Sequence, residues 1–397
     1  MPYTAGQHHM KIGIDARFLT HPQRGGFKTY TSSLVSALAR ASADLDGHRF
    51  ILYTDRDADV PIDLPSNFRL CPVGGSFPLR EQVFLPLRMM ADGIDVAHFP
   101  CNTAPIKYRR PMVVTIHDAI AVRRREIGGL SAKGKALHAY WRLVIPKSAE
   151  KASLVITDSK AAAADLRVML DIPLSRMRVV YLGIDPGFCT DNGLRGAPGI
   201  GPRSDASDPI RVDPVPGIEP HERFLLGFAA VDGRKNEAGV MAAFRLISDE
   251  FPGLRLALVC STPETRSRIR EFGHPRILPV GPLPVEQLRW LYRHARALVF
   301  PSLDEGFGLP PLEAMASGTP VVASRRGSLG EVLGDCAVFV EPSDEQSIAQ
   351  GIRTILNDEV NHRLRSAGLD HVEQFTWERM AQDTMRIYWE AAHLEDG

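Results

Sequence analysis

Long hydrophobic runs are missing from this chain. No stretch reaches the ~18–20 uninterrupted apolar residues that a membrane-spanning helix needs. Cysteine is sparse: Cys71, Cys101, Cys189, Cys260 and Cys336 are scattered, with no Cys-x-x-Cys pair and no His/Cys cluster. That pattern argues against a zinc site and against a disulfide framework, and for a reducing compartment. The first ten residues, MPYTAGQHHM, are polar and lack an apolar core, so no secretory leader is expected and the expected location is cytoplasmic. Net charge is absent too, with 47 basic against 47 acidic side chains. The balance hides an asymmetry, because residues 1–184 hold 25 Lys/Arg against 16 Asp/Glu and the remainder holds 22 against 31. The basic excess gathers in 107–151, which suggests an anionic partner for the first half. No nucleic-acid partner is expected.

What is present is a soluble-enzyme balance of 44% hydrophobic and 24% charged residues over 397 positions, comfortable for two domains. Short apolar, β-branched runs alternate with longer amphipathic ones. The first half has 11-KIGID, 49-RFILYT, 96-VAHF, 112-MVVTIHD, 154-LVITDS and 178-RVVYLG. The second has 223-RFLLGFAA, 254-LRLALVCS, 276-RILPVG, 297-ALVFPS, 319-TPVVAS and 337-AVFVEP. Such runs fit parallel strands buried on both faces, and so an α/β protein with two doubly wound sheets. The boundaries expected are 11–184, a Gly/Pro/Asp-rich linker over 185–222, and 223–376, with a closing helix 377–397 packing back on the first domain and Thr376 as its N-cap.

Ligands of doubly wound sheets sit beyond the carboxyl ends of the strands, which directs attention to four positions. Gly25 and Gly26 follow the first strand and precede a helix, where bare backbone N–H groups can approach a phosphate; alone, the pair is more often only a turn. It is not a GxGxxG fingerprint, so no nicotinamide cofactor is indicated. His117 and Asp118 follow the fourth run, either as a polar pair at a crevice or as a cap of the next segment. Arg234 and Lys235 stand where a helix begins, a corner able to hold a diphosphate or merely a solvated basic turn. The stretch 304-DEGFG leads into a helix starting about Leu309–Pro311, with Glu305 before it and Glu313 one turn inside; Gly306 and Gly308 bare the backbone between. One glutamate there reads as a helix-dipole partner; two flanking a glycine loop are harder to dismiss.

Together, 305-EGFGLPPLEAMASGTPVVAS, TIHD, GRKN, 157-TDS and the final FTWER helix resemble the retaining glycosyltransferases of family 4 with the GT-B fold, most of all bacterial mannosyl- and rhamnosyltransferases of surface-polysaccharide assembly. The resemblance covers almost the whole chain. It implies an acceptor-side first domain and a nucleotide-sugar-binding second one. It implies that Arg234 and Lys235 grip the donor diphosphate, that Glu305 binds the transferred sugar, and that Glu313 holds the ribose. The backbone of Gly306, Phe307, Gly308 and Leu309 would approach sugar and phosphate. The backbone near Pro279 and Val280 would meet the base, His117 would lie near the reacting centre, and Gly26 beside Gly25 would face the phosphate. Ala229, Ala230 and Lys28 depart from the family's usual glycines; Lys28 and Asp118 are acceptor-side candidates. No cofactor and no metal are expected: no Asp-x-Asp motif is read after a strand where a metal would bridge the diphosphate, and cations would take a metal's place.

The donor expected is a nucleoside-diphosphate sugar, GDP-mannose first, and the acceptor a glycan or a polyprenyl-diphosphate-linked glycan. The basic segment 123–151 offers peripheral contact with the inner membrane face through Leu137, Tyr140, Trp141, Val144 and Ile145 beside Lys133, Lys135, Arg142, Lys147 and Lys151. The plainer alternative is a helix packed on the sheet with Trp141 in the core. Rival readings of the whole chain are a transferase using a UDP or dTDP sugar on a soluble acceptor, and a non-catalytic nucleotide-sugar-binding subunit.

Overall fold

The computed structural model describes residues 9–21, 25–41, 45, 47–56, 60, 62–123, 132–189, 215, 217–219 and 222–394. The chain divides into two compact units, residues 1–183 with 376–397, and residues 184–375. Most of the expected linker lies outside the described residues.

The first unit holds a seven-stranded, wholly parallel sheet. Its strands are β1 (Lys11–Asp15), β2 (Arg49–Thr54), β3 (Phe68–Pro72), β4 (Val96–Phe99), β5 (Met112–Thr115), β6 (Leu154–Thr157) and β7 (Met177–Val179). They lie in the order β3-β2-β1-β4-β5-β6-β7. The central strands are buried on both faces, which is why they read as unbroken apolar runs. β3 was not expected from the sequence. It is an edge strand with Arg69 and Pro72 exposed, so its apolar residues are interrupted and no continuous run marks it. Helix α1 (Gly26–Arg40) and the last helix, α6 (Trp377–His393), pack together on this sheet. α6 is amphipathic, burying Trp377, Met380, Met385, Ile387 and Tyr388, at roughly 1.5–3 kcal/mol for each large side chain. Thr376 caps it by accepting the Arg379 N–H at 3.1 Å.

The second unit holds six parallel strands: β8 (Arg223–Phe228), β9 (Leu254–Val259), β10 (Ile277–Val280), β11 (Ala297–Phe300), β12 (Val321–Ser324) and β13 (Ala337–Val340). Their order is β10-β9-β8-β11-β12-β13. Helices α4 (Glu237–Ile247) and α5 (Leu309–Ala316) follow β8 and β11. Each sheet thus reverses its winding beside its first strand, between β1 and β4 and between β8 and β11. These two switch points are where doubly wound folds bind ligands.

Candidate functional site

At the switch point of the second unit, the loop after β8 and the loop after β11 bring together a carboxylate and two cations. Glu305 is almost wholly buried. Its Oε1 accepts from Lys235 Nζ at 2.7 Å, and its Oε2 lies 3.1 Å from Arg234 Nη1. Asp232 stands farther off, 3.6 Å from Arg234 Nε. Lys235 also lies 4.2 Å above the Phe300 ring. Burial pushes the Lys235 pKa down; Glu305 offsets part of that, and Arg234 adds to it. The two loops are tied by the backbone, Leu303 N–H donating to Arg234 O at 2.8 Å. Asn236, in the left-handed region at φ 58°, donates to Pro301 O at 3.2 Å and Pro342 O at 2.7 Å, joining the loops after β8, β11 and β13.

The glycine loop is held from behind. Ser328 Oγ donates to Phe307 O at 2.8 Å and to Glu305 O at 3.2 Å. A Cβ on Gly327, at φ +56°, would sit 2.4 Å from Glu305 O, so only glycine permits this approach. Gly308 caps α5 at φ +97°, where a Cβ would meet Leu329 at 2.6 Å. Phe307 turns its ring into the core against Phe375, leaving its backbone as the part able to meet a ligand. Leu309 begins α5, and Glu313 lies in its second turn, where Tyr292 Oη donates to its Oε2 at 2.9 Å. Burial holds the Glu313 carboxyl up to about 7. Val280 ends β10 and accepts from the Cys260 N–H at 2.8 Å, so its carbonyl serves the sheet edge.

In the first unit, His117 follows β5. Its Nδ1 is 2.7 Å from Asp158 Oδ2, its Nε2 is 3.0 Å from Pro100 O, and its backbone N–H donates to Asn102 Oδ1 at 2.9 Å. Tyr30 meets the ring edge-on at 4.7 Å and Phe27 lies at 5.5 Å. Asp118 caps the short helix Ile120–Arg123 by accepting the Ile120 N–H at 2.9 Å, so the capping reading belongs to it and not to His117. Lys28 donates to His21 O at 2.7 Å. Gly25 precedes α1 and Gly26 opens it, and a Cβ on either would touch nothing within 4 Å among the described residues.

Sequence reasoning missed a second charged cluster, at the switch point of the first unit. Asp15 pairs with Arg17 at 2.7 Å and with Arg80 at 3.0 Å, and Arg17 also pairs with Glu81. Glu81 accepts from Thr103 Oγ1 at 2.7 Å and from Tyr140 Oη. Arg80 further donates to Val73 O at 2.9 Å and Tyr53 O at 3.1 Å. Burial works against the charge of Asp15, yet Arg17 and Arg80 hold its pKa below the usual range; burial likewise opposes Arg17, yet Asp15 and Glu81 hold it above. Asp15 ends the apolar run 11-KIGID and Arg17 follows it two residues on, but nothing in the sequence ties them to Arg80 and Glu81.

The helix α3 (Ala132–Lys151) corrects the expected membrane face. Val144 and Ile145 are buried, Trp141 packs against the core, and Tyr140 is bonded to Glu81, so most of the apolar side belongs to the protein interior. Asp55 and Asp57 form an Asp-x-Asp pair after β2, in the first half; Asp55 accepts from the Thr20 hydroxyl and Asp57 lies outside the described residues.

Two doubly wound parallel sheets, each with its own switch point, are the architecture of the GT-B fold. The family model described as glycosyltransferase family 4 matches residues 24–188, and that of glycosyl transferases group 1 matches residues 224–358. The chain belongs to family 4. It is 30% identical to O-antigen chain mannosyltransferase B of Escherichia coli over 63% of this chain and 64% of that one. It is also 30% identical to the MMP alpha-(1->4)-mannosyltransferase of Mycolicibacterium hassiacum over 71% and 66%. The matched stretches thus span about two thirds of these relatives. The sucrose-phosphate synthase structure from Thermosynechococcus elongatus superposes with a TM-score of 0.70 at 21% identity, covering 96% of this chain and 99% of that one.

Proposed function

We propose that the protein moves a hexose from a nucleoside-diphosphate sugar, with retention of configuration and without a metal, to a glycan or polyprenyl-diphosphate-linked acceptor. GDP-mannose is the leading donor, in keeping with the mannosyltransferases it resembles. The observation that carries this reading is the Glu305–Arg234–Lys235 cluster at the switch point, where Lys235 is a buried cation its carboxylate only partly compensates. When the anomeric C–O bond breaks, charge builds on the leaving diphosphate, and cations fixed in advance stabilise it without reorganising. Arg234 and Lys235 are that pair. Glu305 orients them and offers its remaining lone pairs to sugar hydroxyls; Glu313, steadied by Tyr292, takes the ribose. Gly25 and Gly26, where an added Cβ would meet nothing within 4 Å among the described residues, support close approach by a phosphate. Transfer assays and thermal shifts with GDP, UDP and dTDP sugars, each with and without EDTA, test this. GDP-mannose transfer insensitive to EDTA is expected; abolition by EDTA removes metal independence, and absence of transfer with every donor favours a non-catalytic binding subunit.

Peripheral contact with an anionic bilayer is the second part of the proposal. Phe77, Leu79, Val83, Phe84, Leu87 and Met90 are exposed along the π-turn Arg80–Phe84 and helix α2 (Leu85–Ala91). Phe77 meets the Tyr140 ring at 4.8 Å, and on α3 the exposed Leu143 and Lys147 lie one and two turns beyond Tyr140. An apolar strip beside basic side chains fits a lipid surface, so the apolar contribution is assigned to 77–90 and the charge to α3. Co-sedimentation with anionic and with neutral vesicles should show salt-sensitive binding to the former, lost in Phe84→Asp; equal behaviour of variant and wild type would remove the assignment.

A further inference from the structure

His117 has an oxygen at each ring nitrogen, and both oxygens are acceptors. The Pro100 carbonyl lies 3.0 Å from Nε2 and the Asp158 carboxylate 2.7 Å from Nδ1. A neutral imidazole carries one N–H and one bare lone pair, so either tautomer sets a lone pair against an oxygen lone pair. Against an ionised Asp158, only the doubly protonated ring satisfies both contacts. We propose that His117 is a standing imidazolium, an electrostatic group with no nitrogen free to take a proton, and that Asp158 and Asn102 are its positioning residues. Asn102 fixes the backbone at 2.9 Å from a left-handed conformation, φ 66°, and Asp158 fixes the ring.

The surroundings agree from every side. From α1, Tyr30 meets the imidazole edge-on and Phe27 lies tilted beside it, so two aromatic rings pack against it. Beside it stand the carboxylates of Asp158, after β6, and Asp118, in the next position of the chain. Burial lowers the His117 pKa, but Asp158 first and then the Pro100 contact and Asp118 outweigh it, leaving it raised. From β4, His98 supplies the contrast. Its ring nitrogens lie 2.6 Å from Tyr388 Oη and 2.7 Å from Thr115 Oγ1, hydroxyls that can donate as well as accept. It is neutral, with burial first and His117 second pushing its pKa down to about 3. One histidine therefore keeps its charge where its neighbour has none.

The consequence for catalysis rests on the transferase reading. His117 then stabilises negative charge and does not deprotonate the acceptor, whose proton leaves with the departing phosphate. Activity is full below the His117 pKa and falls as pH rises through it. In Asp158→Asn the amide oxygen still accepts from Nδ1, but the carboxylate charge is gone and burial prevails, so the alkaline limb moves to lower pH.

The test has two arms. Long-range ¹H–¹⁵N spectra of the ligand-free, ¹⁵N-histidine-labelled protein, assigned with His117→Gln, read the ring directly. Imidazolium shifts for both His117 nitrogens at pH 7.5 are expected; a neutral tautomer there overturns the proposal whatever the enzyme transfers. The second arm compares pH–rate profiles of wild type and Asp158→Asn. An alkaline limb displaced by at least one pH unit is expected, and an unmoved limb overturns the positioning role. Should no donor be transferred, the first arm still decides the charge of His117 while the transferase reading alone fails.

Discussion

The two switch points hold the same inventory of charges in opposite condition. Asp15, Glu81, Arg17 and Arg80 occupy the first; Asp232, Glu305, Arg234 and Lys235 occupy the second. In the first, the side chains are 0–11% exposed and pairing overcomes burial, since Asp15 is held more acidic and Arg17 more basic than usual. In the second, Arg234 and Asp232 are 29% and 25% exposed, their pairing is loose, and burial prevails over pairing at Lys235. In the first set each charged side chain has an oppositely charged partner within the set. The second has a cation still to be compensated, and a diphosphate would do that. A count of charges alone does not tell the two clusters apart; the balance of pairing against desolvation does.

Three experiments bear on that contrast. Arg80→Ala leaves Asp15 short of a partner in the closed cluster and should cost about 3–5 kcal/mol, read by urea unfolding. A loss under about 1 kcal/mol would mean the cluster is not a structural element. Arg234→Ala or Lys235→Ala should lower turnover over a hundredfold, on the order of 3 kcal/mol of transition-state stabilisation, with stability within about 1 kcal/mol of wild type. Unchanged rates in the folded variants would make the open cluster as structural as the closed one. The smallest effect concerns Glu313, whose raised pKa means that the unliganded fold keeps a proton the unfolded chain has released. Stability therefore declines as pH rises from the ordinary carboxyl range through about 7. Donor binding, which uses the ionised form, should strengthen roughly tenfold between pH 6 and pH 8 by calorimetry, and Glu313→Gln should flatten it. A wild-type affinity that does not change over that range would assign Glu313 to the helix dipole alone.

Much of this was legible beforehand, for identifiable reasons. Among the described residues, twelve of thirteen strands announced themselves because each carries an apolar run; β3 did not, because Arg69 and Pro72 interrupt its apolar residues. Arg234, Lys235, Glu305 and Glu313 sit in compact runs that local spacing exposes. Arg80, Glu81, Asp158 and Tyr292 act through partners far away in the chain, and no local pattern records such pairing. Asn102 gave only a faint signal, an asparagine just past a strand, where the left-handed conformation is tolerated. The apolar side of α3 left two readings open, and the packed one holds for Trp141, because a helix covering a sheet and a helix lying on lipid carry the same periodicity.

Helix α6 belongs to the first unit although the second unit precedes it in the chain. A ribosome completes the first sheet at Val179 but does not begin α6 until Trp377, an interval of roughly 10–40 s at 5–20 residues per second. For that time the nascent sheet lacks its cover, and His98 lacks the Tyr388 hydroxyl that answers its Nδ1. The second unit has all of its strands before that helix emerges, so the earlier half of the chain is the later one to finish.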